Sequence, residues 1–93
     1  MERLDLDGEG GVVIPAEWAA ALLGVPLQAF LADLRSGHVY SLMERGEGED
    51  AGRLRATLRN RAKELRVVVE AASGRVLSVE TGPGGGFPPS ASG

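Results

Sequence analysis

RLRATLRNRAKELRVVVEAASGRVLSVET, residues Arg53–Thr81, is the stretch that decides the fold of this 93-residue chain. In Arg53–Arg59 every second residue is apolar. Leu54, Ala56 and Leu58 take one side and Arg53, Arg55, Thr57 and Arg59 the other, the alternation of a half-buried strand. Leu65–Ala71 and Arg75–Thr81 continue the pattern, so a three-strand meander is expected. The last link allows two registers. A two-residue Ser73-Gly74 loop sets Val67 and Val69 beside Glu80 and Ser78. A three-residue Ala72-Ser73-Gly74 loop sets Val69 beside Leu77, Val67 beside Val79 and Arg66 opposite Glu80, with Gly74 at a left-handed bulge position. The three-residue loop is the expected one.

Working outward, Arg45–Gly52 reads as a polar loop and Val39–Glu44 as a further strand. Before it the period changes from two to 3.6. Leu27, Phe30, Leu31 and Leu34 mark one face of a short helix opened by Pro26 and stopped at Gly37. Trp18, Ala19, Leu22 and Leu23 mark another, opened by Pro15 and stopped at Gly24. Residues 3–14 read as a strand pair turning at Gly8–Gly11. Residues 82–93 are mostly Gly, Pro and Ser and are expected to be a disordered tail. The fold expected is α+β: one domain over residues 1–81, with two short helices packed on a four- or five-stranded, mostly antiparallel sheet that ends in a β-meander.

Composition narrows the chemistry. The chain has no cysteine, which excludes disulfides, thiolate metal sites and a cysteine nucleophile. No signal-like leader opens it and no apolar run approaches membrane-spanning length, so a cytoplasmic, bacterial protein without a membrane partner is expected. The net charge of −3 conceals an asymmetry: residues 1–50 carry three basic and ten acidic side chains, residues 51–93 seven basic and three acidic. Six of the basic residues fall between Arg53 and Arg66, against a single acid, Glu64.

Two resemblances carry information. The junction Ala20-Ala-Leu-Leu-Gly-Val-Pro26, the second helix and Ser36-Gly-His-Val39 make residues 15–39 similar to the helix-turn-helix of excisionase-like and MerR-like DNA-binding proteins. That resemblance implies a groove-reading second helix followed by a β-wing. Its outer face here offers Gln28, Ala29, Ala32, Asp33 and Arg35, with Glu17 on the preceding helix, where a recognition helix wants Arg, Lys, Asn or Gln. Taken whole, Leu4–Leu77 resembles a family of small bacterial proteins of unknown function, through Leu23-Gly-Val-Pro26, Arg35-Ser-Gly37 and Glu44-Arg-Gly-Glu-Gly-Glu-Asp-Ala-Gly-Arg53. This resemblance implies a single domain and carries no chemistry.

The candidate interaction surface is the basic strand face, Arg53, Arg55, Arg59 and Arg66, together with the acidic loop residues Glu44, Glu47, Glu49 and Asp50. Neither the loop nor Asp5–Glu9 has the ligand spacing of a helix-flanked calcium loop. Gly46-Glu-Gly48-Glu-Asp-Ala51 matches a loosened dinucleotide pattern, but its acids would repel a pyrophosphate and a strand follows it. His38, the only histidine, lacks a nucleophile setting and is expected to sit at a helix C-terminus. No catalytic, cofactor-binding or metal residue is therefore assigned, and no enzyme activity is expected. The favoured function is a protein-interaction module that self-associates as a homodimer, the acidic loop meeting the basic face. A small DNA-binding regulator is the alternative, and weak divalent-cation binding by the acidic loop the third.

Overall fold

The structure, a computed structural model, describes residues 1–83. Its elements run β1 (Asp5–Leu6), β2 (Val12–Val13), α1 (Ala16–Leu23), α2 (Leu27–Arg35), β3 (Val39–Arg45), β4 (Arg53–Asn60), β5 (Lys63–Glu70) and β6 (Val76–Pro83). β1 and β2 form a small antiparallel hairpin, and β3-β4-β5-β6 an antiparallel meander in sequence order. This is the α+β fold expected, with two helices against the larger sheet. Among the described residues no single helix is long and apolar enough to cross a membrane.

Both helices start one residue later than expected. Pro15 and Pro26 are N-caps with extended backbone, ψ 133° and 142°. Their carbonyls accept the first helical bonds, from Ala19 and Phe30 N–H, while the proline's missing N–H leaves no donor to satisfy. Both helices stop as expected. Gly24 and Gly37 have φ of 71° and 78°. The N–H groups of Gly24 and Val25 reach back to Ala21 and Ala20 carbonyls, and those of Gly37 and His38 to Leu34 and Asp33. This paired capping satisfies carbonyls that the helices themselves leave without a partner.

The core lies between the helices and one sheet face. Leu65, Val67 and Val69 of β5 and Leu54 of β4 pack against Leu4, Ala19, Ala20, Leu23 and Phe30. Each fully buried Leu, Val or Phe contributes about 1.5–3 kcal/mol relative to exposure, and this cluster holds the sheet to α1. Leu54 faces Val69, Ala56 faces Val67 and Leu58 faces Leu65 across β4 and β5, which fulfils the alternation read from the sequence.

The last hairpin departs from expectation at one point. Gly74 N–H and Glu70 N–H bond to Glu70 and Arg75 carbonyls, so the loop is Ala71–Gly74, four residues instead of three. Val69 consequently faces Val76, and a bulge leaves Leu77 unpaired. The bulge absorbs the extra loop residue, and the expected pairs Val67–Val79 and Arg66–Glu80 form beyond it. The loop is pinned by the N-terminus, since Leu4 N–H donates to Gly74 O and Val76 N–H to Glu2 O. A Cβ on Gly74 would run into the Leu4 carbonyl. β5 also begins two residues early, at Lys63, because Arg61-Ala62 turns the chain tightly. Gly82 and Pro83 are therefore recruited opposite Glu64 and Lys63, and the sheet outruns the boundary expected at residue 81. The remainder of the expected disordered tail lies outside the described residues.

Candidate functional site

The face of the sheet turned away from the helices carries nearly all the residues singled out from the sequence. Alternation places Tyr40, Leu42 and Glu44 of β3 there, beside Arg59, Thr57, Arg55 and Arg53 of β4. Glu64, Arg66 and Val68 of β5 and Glu80 and Ser78 of β6 complete the face. The arginines do not stand free. Arg55 holds Glu44 at 2.8 Å and Arg53 reaches Asp50 at 3.4 Å, so the acidic loop and basic face meet within one chain. Arg59 and Arg66 converge on Glu64, at 2.9 and 3.4 Å, and Arg66 also lies 3.9 Å from Glu80. Arg59 further sits 5.6 Å from the Tyr40 ring centroid, within cation–π range. Of the expected site residues, only Glu47 and Glu49 make no side-chain hydrogen bond or ion pair among the described residues.

Glu64 is the residue that sequence reading undervalued. It is 1% exposed although it points to the outer face, because the two guanidiniums lie over it. Its signal was present as the lone acid inside the basic strip. The 3-10 turn Gly48–Asp50 carries the loop beside this face. Together they border an open groove of about 610 Å³ whose lining includes Arg53, Arg55, Val68 and Leu77.

A second cluster corrects the orientation of α2. Asp33, expected on the outer face, is 7% exposed, while Leu34, expected inside, is 45% exposed. The physical reason is a set of donors from the β4–β5 turn. Arg61 grips Asp33 through two bonds of 3.0 and 2.9 Å, and buried Asn60 adds a third of 2.9 Å. Hydrogen bonds from Arg61, then from Asn60, hold the Asp33 carboxyl down at about 2. Arg61 adopts φ of 58° in that turn, and its two-pronged grip on Asp33 offsets the strain. His38 Nδ1 stands 3.8 Å from Asp33. Together these bonds form a clasp between α2 and the sheet.

The Asp5–Glu9 stretch is likewise spent on structure. Asp7 Oδ1 accepts the Glu9 and Gly11 N–H groups at 2.7 and 3.0 Å, and these bonds lower its pKa. No three Asp, Glu or His side chains converge on a common point among the described residues.

The two edges of the sheet are unlike. At β6 the N-terminus is paired to Gly74 and Val76, Leu77 is bulged, and Pro83 offers no N–H. β3 has seven residues with no proline, glycine, lysine or bulge, and Tyr40, Leu42 and Met43 are all exposed. Beside it, Leu34, Met43, Val12, Ile14 and Phe30 line an apolar hollow of about 250 Å³.

These features define a small α+β domain with an internally neutralised arginine face and, among the described residues, a β3 edge that no segment covers. The chain belongs to DUF6522, a family of unknown function, whose family model matches residues 1–84. No curated protein and no solved structure matches the chain.

Proposed function

We propose that this chain is a non-enzymatic protein-interaction domain that binds an extended segment along β3. The observation that carries the reading is the contrast between the edges. Proteins ordinarily blunt an exposed edge with proline, charged side chains, bulges or a covering segment; β6 has a bulge, a proline and a segment paired across its start, while β3 has only the charges of Glu44 and Arg45 at its C-terminal end. An edge strand with exposed apolar side chains on both faces suits strand addition, in which main-chain bonds supply affinity and alternate side chains supply selectivity. A cytoplasmic, bacterial setting belongs to the same proposal.

The test is selection of extended peptides from a displayed combinatorial library on protein immobilised at low density. Ser41→Pro serves as the comparison, because proline at this edge position removes an outward N–H. Peptides retained by the wild type and lost by the variant support the reading. No enrichment on protein that sedimentation shows to be monomeric, or equal enrichment on both, refutes it.

Duplex-DNA binding is the second reading, favoured by one observation: α1 and α2 cross at 112°, within the range of helix-turn-helix units. Against it stand the carboxylate partners of Arg53, Arg55, Arg59 and Arg66, and an α2 surface whose outward polar residues are Gln28 and Arg35. Amide NMR during addition of mixed-sequence duplex at low salt decides it. Shifts over residues 26–36 together with Arg53–Arg66 would favour DNA over the edge reading, and unchanged spectra would remove nucleic acid.

A further inference from the structure

We propose that the segment β3 receives is β3 of a second copy, paired antiparallel about a two-fold axis through Leu42. The inference rests on the edge reading above and adds the partner and the register.

The register follows from which main-chain groups of β3 have no partner among the described residues. Gly46 N–H donates to Arg53 O at 2.9 Å, continuing the β3–β4 pairing in which Arg45 faces Leu54 and Glu44 faces Arg55. In an antiparallel ladder, hydrogen-bonded and non-hydrogen-bonded pairs alternate. Gly46, Glu44, Leu42 and Tyr40 therefore direct their N–H and C=O to β4. Those of Val39, Ser41, Met43 and Arg45 point to the open edge. Pairing two copies about Leu42 sets Ser41 against Met43 and Val39 against Arg45, so all four outward residues of each copy exchange hydrogen bonds. Leu42 then meets its own symmetry mate at a non-hydrogen-bonded position, where side chains approach closest.

The side chains select the same register. On the outer face Tyr40 falls opposite Glu44 at both ends. Glu44 Oε1 takes both bonds from Arg55, leaving Oε2 without a partner among the described residues. The Tyr40 hydroxyl has none either, and Arg59 sits beside its ring. Each end of the strand pair thus joins a donor backed by a cation to a free carboxylate oxygen. Sliding the register by two residues in one direction sets Leu42 against Glu44, and in the other leaves Glu44 beside His38. No like charges face each other in the Leu42-centred arrangement. On the helix side, Met43 and Leu34 of both copies border the axis and extend the two apolar hollows into one trough. The product is an eight-stranded continuous sheet, with the blunted β6 strands at its outer edges.

The absence of cysteine gives a clean test. Leu42→Cys places thiols across the axis, within disulfide reach at a non-hydrogen-bonded pair. Leu77→Cys, of similar exposure and lining the outer-face groove beside Val68, is the control. Rapid, near-complete oxidation of the Leu42→Cys protein to a covalent dimer, with Leu77→Cys much slower, is expected. Sedimentation equilibrium of the wild type should show a dimer, and Ser41→Pro should weaken it at least about tenfold. Equal oxidation rates for the two cysteine variants, or a wild type monomeric at millimolar concentration, would overturn the proposal. If the wild type is monomeric while library peptides still bind and are lost with Ser41→Pro, only the second-copy assignment falls. If Ser41→Pro alters neither behaviour, the edge reading falls with it.

Discussion

Replacing Glu64 by Gln probes whether the outer face is held by one buried carboxylate or by a set of interchangeable surface pairs. Glutamine keeps the shape and one acceptor oxygen, so packing is preserved. Oε1, which receives Arg59 Nε at 3.0 Å and its terminal nitrogen at 2.9 Å, can be retained as the amide oxygen. The position of Oε2 then becomes an NH2 group facing the Arg66 guanidinium, donor against donor, where the carboxylate accepted at 3.4 Å. Hydrogen bonds to charged groups contribute about 1.5–3 kcal/mol. The full cost of stranding a buried charge, about 3–5 kcal/mol, does not apply. Arg59 and Arg66 retain 46% and 28% side-chain exposure and can turn to water. The expected loss is therefore about 1.5–3 kcal/mol, a fall of about 6–24 °C in Tm for a domain of this size. Thermal and urea unfolding followed by the fluorescence of Trp18, the only tryptophan, measures it directly. A loss below about 0.5 kcal/mol, typical of an exposed pair, would refute the anchoring role of Glu64.

Other perturbations test neighbouring parts of the argument. Arg55→Ala should cost under about 1 kcal/mol by the same urea assay, because its pair with Glu44 is half exposed on both sides. Asp33 titrates below its ordinary value in the folded state, so its contribution is present above about 3.8 and is lost as pH falls toward about 2. Acid unfolding should steepen across that interval, and Asp33→Asn should remove that part of the pH dependence while lowering stability at neutral pH. Gly74→Ala should destabilise by at least about 1 kcal/mol from its left-handed φ alone, and further because the methyl displaces Leu4; amide exchange at Leu4 and Val76 should rise together. If the internal pairs are what keep the arginines from phosphate, Glu64→Gln should bind duplex DNA at low salt more tightly than the wild type, with a steeper salt dependence.

By itself the sequence determined the elements and most of their pairing. Local geometry suffices for this: a period of two in Arg53–Arg59 buries Leu54 and Ala56, proline before and glycine after each apolar stripe bound α1 and α2, and the valines of β5 and β6 favour one register. The nominated surface residues were also legible, since arginines alternating with inward leucines must share a face. Other features depended on groups far apart in the chain. Asp33 turns inward because Asn60 and Arg61, 27 and 28 residues later, bring donors to it, a contact no helical period encodes. The Ala71–Gly74 loop gains a residue and β6 a bulge where residues 2–4 lie across them. Glu64, by contrast, is buried by near neighbours in sequence, Arg59 and Arg66, which only the pairing of β4 with β5 brings together over it. Which edge is guarded was likewise a tertiary decision: the N-terminus pairs across the start of β6 at Gly74 and Val76, and nothing in Val39–Arg45 marks it as an edge strand.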